Sequence, residues 1–200
     1  MDTNLNNRRE RRRMRTRDQL KQAAIDLLIE QGFDVMTVQD ITDRADLGRG
    51  TFYIYFKDKQ DILWKIIQEG IQAEAARAVQ KLPDIWPDQL AYYGYLNTFH
   101  HAEQNRQLYR VMLGSQGSSV LTARVFEYMA EDTLNDMRKM DVYSEIGQPV
   151  EITAQIVVGA MIRLVIWWLE TPNTYSAEDM AAMLYTALHH RPAPNPPASS

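Results

Sequence analysis

The 200 residues contain no cysteine. That excludes disulfides, thiolate zinc or iron–sulfur ligation and a thiol nucleophile, and it suits a reducing compartment. Glycine and proline are sparse, at nine and eight, so the chain is neither collagen-like nor low in complexity. The longest apolar run, Ile156 to Leu169, is interrupted by Arg163. It falls short of the roughly 18–20 residues of a membrane span, so a buried bundle helix and no membrane partner are expected. No apolar h-region follows the arginine-rich N-terminus, which argues against a secretory signal. Enzyme motifs are missing too: there is no G-x-S-x-G elbow, Walker A loop or H-E-x-x-H. Gly48-Arg49-Gly50 opens like a dinucleotide fingerprint, but Tyr53 stands where the third glycine belongs and no strand precedes it. His100-His101 and His189-His190 are adjacent pairs that diverge by about 100° on a helix, so neither makes a ready chelate. No catalysis, metal or cofactor is expected.

What the chain does have is charge distributed unevenly. Residues 1–17 carry seven arginines against Asp2 and Glu10, whereas residues 18–65 hold six basic against nine acidic residues. Residues 66–200 hold nine against fifteen. A basic arm before an acidic body suits a polyanion, most often nucleic acid; a solubilising tail is the plainer reading. The net charge of −4 does not oppose DNA binding, since only the docking face must be positive.

Periodicity predicts an all-α chain. A first helix starts near Thr16 or Asp18, buries Leu20, Ala24, Leu27 and Leu28, and closes at Gly32. Thr37 to Asp40 resembles a capping box, and Val38, Ile41 and Ala45 share one face of a short second helix. Asp46-Leu47-Gly48 breaks it. A third short helix runs from about Arg49 to Phe56, with Phe52 and Phe56 facing inward. Asp58 and Asp61 cap a fourth helix reaching about Leu82. Breaks at Gly114–Ser119 and Gly147–Pro149 divide the remainder, a long apolar helix covers Val150 to Glu170, and Ser176 caps a last helix to about His189.

Two short helices around a tight glycine turn, after a longer support helix, make a helix-turn-helix. Its second helix would enter the major groove. Arg49 suits guanine O6 and N7, and Thr51 suits a phosphate or a thymine methyl. Gly50 allows close backbone approach, and Tyr53 and Tyr55 offer hydroxyls. Thr37 and Lys59 can reach phosphates, and the arginine arm, including Arg13 and Arg15, adds phosphate or minor-groove contacts. A packed helical turn with solvated charges is the competing reading.

Residues 37–63, TVQDITDRADLGRGTFYIYFKDKQDIL, resemble the DNA-binding signature of the tetracycline-repressor (TetR) family. With the first helix, the resemblance covers residues 16–65. It implies that Thr37 caps and contacts phosphate, that Arg49 stands at a usual Lys or Arg position, and that Gly50, Thr51, Tyr53 and Tyr55 lie in the recognition helix. It likewise gives Lys59 a phosphate. The sequence departs at Gly48, often a Ser or Thr cap, and at Ile54, often a His; an isoleucine there suggests an apolar base contact. WWLE followed by YSAEDMAAMLYTAL is similar to one C-terminal subtype of the family.

The resemblance implies a larger body of five or six further helices, about nine helices in all, that binds a small molecule and dimerises through its last two helices. The expected layout is a disordered arm over 1–15, the DNA-binding module over 16–65, the body over 66–190 and a disordered tail over 191–200. Candidate pocket residues are Trp86, Tyr92, Tyr95, Phe99, Tyr109, Met112, Phe126, Met129 and Trp167, although aromatic stripes are more often core. Candidate dimer residues are Ile156, Met161, Val165, Trp168, Met180 and Leu184. The function expected is a cytoplasmic, homodimeric transcriptional regulator, a repressor released from a palindromic operator by a small-molecule effector. A body answering to a protein partner or to nothing is the alternative, as is a helical enzyme or binding protein with a vestigial helix-turn-helix.

Overall fold

The computed structural model describes residues 3–81, 87–114, 117–140 and 149–194. Among them are nine α-helices and no strand: α1 (Thr3–Gln31), α2 (Val38–Arg44), α3 (Arg49–Tyr55), α4 (Lys59–Lys81), α5 (Pro87–Gln104), α6 (Arg106–Leu113), α7 (Ser119–Met140), α8 (Val150–Glu170) and α9 (Ala177–His189). The all-α expectation holds. Trp86 and the tail from residue 195 lie outside the described residues.

α1 differs from its expected form, because the arm read as disordered continues the helix back to Thr3. The reason is local. Arg, Glu and Met are good helix formers, and residues 8–15 contain no glycine or proline. Once Leu20, Ala24 and Leu28 are fully buried, each further residue adds a hydrogen bond to an existing helix. At the other end Gly32 takes φ +82° and its N–H donates to the Leu28 carbonyl (3.0 Å), the left-handed close expected of it.

α2 begins with the reciprocal cap. The Asp40 N–H donates to the Thr37 hydroxyl (3.2 Å), and the Thr37 N–H donates to the Asp40 carboxylate (2.8 Å). Hydrogen bonds from Thr37 hold the Asp40 carboxyl below its ordinary pKa. The turn into α3 does not rest on glycine. Asp46 is its left-handed residue, at φ 53°, a conformation that short polar side chains tolerate. Gly48 is extended and caps α3 without a side chain. α4 opens on Asp58, which accepts from the Asp61 N–H (2.8 Å), and α9 on a second capping box, Ser176 with Asp179.

Two cores result. The first joins α1, α2, α3 and the start of α4 to Met112 and Leu113 of α6, Leu121 and Val125 of α7, and Val158 and Ile162 of α8. α4 itself runs unbroken across residue 65, where a domain boundary was expected. The second core packs α5 and α9 on α8: Phe99 meets Trp168 edge-on (5.6 Å) and Tyr92 meets Tyr185 (6.0 Å).

α8 is 21 residues long and, by length and composition alone, apolar enough to cross a membrane. Its bounds are those expected, Val150 to Glu170, although the apolar run within it was read as too short for a span. Its inward face is covered by its own chain, which corrects the expected dimer residues. Met161, Val165, Trp168, Met180 and Leu184 are all buried inside the protomer, and only Ile156, 48% exposed, faces outward. α5 and α9 cover that face, a tertiary choice that an evenly apolar helix does not announce.

His189 at the end of α9 stacks on Tyr185 (4.3 Å) and lies 3.3 Å from the Tyr95 hydroxyl. Burial first, and Arg191 second, push its pKa below 6.5. The folded protein thus favours neutral imidazole. As pH falls through 6.5 the unfolded chain takes up a proton that the folded one refuses, and stability is lost. The thermal midpoint is expected to fall between about pH 7 and pH 5.5, and His189→Phe should flatten that dependence. Full acid sensitivity in the variant would place the titrating group elsewhere.

Candidate nucleic-acid interface

α3 is oriented by its aromatic residues. Phe52 is fully buried and Phe56 nearly so, their rings 5.6 Å apart. The opposite face presents Arg49, Gly50, Tyr53 and Ile54, all exposed, with Ile54 at 68%. Arg49 has no ion-pair partner among the described residues, and a Cβ at Gly50 would meet nothing within 4 Å. Thr51 is half-buried, and Tyr55 leans on the module core. The chemistry on offer is a guanidinium, a phenol and an aliphatic tip on one open surface.

The other cations separate into two groups. Arg17 and Lys21 of α1 both pair with Glu69 of α4. Arg44 of α2 grips Glu30 of α1 with two bonds (2.9 and 2.6 Å), which lowers the carboxyl pKa and raises that of the guanidinium. Lys59 does not reach outward as expected. Its ammonium donates to the carbonyls of Phe33 (2.8 Å), Asp34 (3.2 Å) and Met36 (3.0 Å) and lies over the Phe33 ring at 4.5 Å. An ammonium has three protons, and all three are engaged in holding α4 to the α1–α2 turn. Thr37 is exposed, but its hydroxyl donates to Asp40 (2.7 Å) as part of the cap.

The second group faces solvent. Arg13 and Arg15 are exposed along α1 with their arginine neighbours, and Lys57, just past α3, is exposed without a side-chain partner among the described residues. Sequence reasoning missed Lys57. Its one signal was adjacency to the recognition helix, which the familiar position of Lys59 overshadowed.

The expected pocket residues are mostly core. Tyr92, Tyr95 and Phe99 are buried in the α5–α8–α9 core, and Phe126, Met129 and Trp167 are half-buried against neighbouring helices. A cavity of about 140 Å³ lies instead where α1, α4, α5 and α6 meet. Of the residues named beforehand, only Tyr109 and Met112 line it, beside Ile25, Ile66, Ile67 and Leu113. His101, Asn105, Leu108 and Gly70 complete its wall.

An exposed helix held by a buried aromatic pair, on a three-helix module with a helical body, defines a helix-turn-helix DNA-binding protein. Comparison with known proteins gives the family. Residues 20–65 match bacterial regulatory proteins of the tetR family, and residues 91–190 match a transcriptional regulator C-terminal region of the TetR type. The chain belongs to the TetR family of DNA-binding transcriptional regulators, which are not enzymes. The uncharacterized HTH-type transcriptional regulator YxbF of Bacillus subtilis is 38% identical over 62 residues, 30% of this chain and 16% of that protein. The chain spans 16% to 26% of the length of the curated relatives it matches. Similar solved structures extend over both halves. A TetR transcriptional regulator from Streptococcus agalactiae superposes with a TM-score of 0.67 at 22% identity, covering 90% of this chain and 97% of that one. FadR from Bacillus subtilis in complex with stearoyl-CoA gives 0.64 at 18%, covering 85% and 96%.

Two substitutions separate reading from positioning. Arg49→Ala is expected to weaken operator binding by about 1–3 kcal/mol and relax one base position; unchanged sequence preference would remove Arg49 from readout. Lys59→Met should cost about 1–3 kcal/mol of stability without altering the salt dependence of DNA binding. A salt slope reduced by about one would return Lys59 to the phosphates.

Proposed function

We propose that the protein is a cytoplasmic homodimeric repressor that binds a palindromic operator and is released by a small-molecule effector. The observation that carries the reading is the outward face of α3, with Arg49, Tyr53 and Ile54 exposed while Phe52 anchors the helix. Arg49 reads a guanine, Ile54 rests on a thymine methyl, and Tyr53 and Thr51 bond to phosphate or base edges. Lys57, Thr37 and the α1 arginines, Arg13 and Arg15 among them, supply backbone contacts. Residues up to about 65 read DNA and the rest serve dimerisation and effector binding, with α4 carrying movement between them.

Dimerisation suits the apolar residues that α8 and α9 leave outside: Ile152, Ile156 and Met183 are each 44% exposed or more. Two-fold pairing through that face would place two copies of α3 in successive major grooves, roughly 34–36 Å apart. An effector acts by preferring a body whose α4 spoils that spacing; equal affinity for both states would move nothing. The structural likeness to FadR, which binds stearoyl-CoA, supports an effector of some kind.

Selection of bound fragments from random DNA, followed by footprinting at physiological salt, tests the reading. A two-fold symmetric site is expected, and weak salt-sensitive binding without a motif would overturn it. Ile156→Glu should convert the dimer to a monomer in light scattering and weaken full-operator binding. An intact dimer would move the interface to another face.

A further inference from the structure

The cavity at the meeting of α1, α4, α5 and α6 touches both the DNA-reading half and the body. Its volume, about 140 Å³, is close to that of an apolar cavity of roughly 150 Å³ that admits benzene or xenon. It lies below the roughly 300–1,000 Å³ of pockets for drug-sized ligands. A single compact ring fits, and an extended acyl chain does not.

The wall chemistry narrows the class further. Among the described residues, no Lys, Arg, Asp or Glu lines the cavity, and a charged guest would find no partner in them. The polar groups gather on the α5–α6 side. His101 and Tyr109 meet edge-on at 5.5 Å, and the Asn105 amide nitrogen lies 3.4 Å from His101 Nδ1. The far edge of that imidazole reaches α4 at Gly70, where a Cβ would come within 3.3 Å of Nε2. Isoleucine, leucine and methionine side chains make up most of the remaining wall. A guest with one polar edge and an apolar body matches this division.

Position gives the guest leverage. Ile25 belongs to α1 and Gly70 to α4, the two long helices that frame the helix-turn-helix, while Leu108 belongs to α6. Glu69, beside Gly70, holds Arg17 and Lys21 of α1. A ring wedged here presses on the joint through which α4 meets both α1 and the body.

We propose that this cavity is an effector site for a compact, neutral, hydroxylated ring, and that its occupancy weakens operator binding. The inference rests on the reading of the chain as a ligand-released regulator. The test titrates the full-length protein with phenol, using ligand-observed NMR for binding and anisotropy of a labelled operator for release. Saturable binding and a loss of operator affinity of roughly tenfold or more are expected. Leu108→Trp should abolish both responses; if it fails to melt cooperatively, Ile66→Phe fills the same space from α4. Absence of saturable phenol binding, binding that neither variant disturbs, or binding without effect on the operator would each overturn the proposal. Release by a larger ligand, unaffected by Leu108→Trp, would keep the regulator reading and remove this site. Saturable phenol binding, lost in the variant, in a protein without any specific operator would strike down the regulator reading and keep the site.

Discussion

A helix of seven residues has no stability of its own in water, because nucleation consumes more than so few hydrogen bonds return. α3 therefore exists only where Phe52 is buried. Full burial of one such side chain contributes about 1.5–3 kcal/mol, and Phe56 one turn on prevents α3 from rolling about its axis. Everything that α3 presents to solvent is defined by what those two rings hide. The faces of Arg49, Tyr53 and Ile54 are a by-product of packing, which is why this surface can be both exposed and rigid.

The electrostatics follow a similar division. Residues 18–65 are net acidic, an odd property for a module that binds a polyanion. The paradox eases once each cation is followed to its partner. Lys21, Arg44 and Lys59 are engaged within the chain, on Glu69, Glu30 and three backbone carbonyls, and Arg17 joins Lys21 on Glu69. They fasten α1, α2 and α4 into one body. The outward cations are Arg49, Lys57, Lys65 and the arginines from Arg8 to Arg15. Charge counted along the chain thus conceals a surface whose sign depends on which bases are tied to which acids.

What could be read from the chain in advance was local chemistry. Thr37 with Asp40 and Ser176 with Asp179 are three residues apart, so the partners of each capping box find each other without help from the rest of the fold. Gly32 and the Phe52–Phe56 pair are similarly short-range, and they place the recognition helix and its outward face. Longer-range matters were hidden. Lys59 meets carbonyls some 23 to 26 residues away, and no spacing rule points to them. Met161, Val165 and Trp168 look alike on an apolar helix whether a partner or α5 covers them. Tyr92 and Phe99 had the composition of a pocket lining, but the rings across from them, Tyr185 and Trp168, fill the space. Asp46 took the left-handed place that Gly48 seemed to claim, because the chain turns as soon as α2 ends: the Leu47 N–H donates back to the Thr42 carbonyl (2.9 Å), and Gly48 is already extended.

The helical form of the N-terminal segment changes what kind of object it is. Thirteen residues from Thr3 to Arg15, at 1.5 Å per residue, make a strut about 20 Å long. A loose tail would sample many directions and lose that freedom on meeting DNA, at a cost of order 1 kcal/mol for each residue ordered. A strut has already surrendered the freedom during folding, so its arginines would meet a polyanion without a further loss of conformational entropy. In exchange its direction is locked to α1. Whatever tilts α1 swings the far arginines through a longer arc than the recognition helix itself, so a small rotation at the joint is magnified most at the tip of the chain.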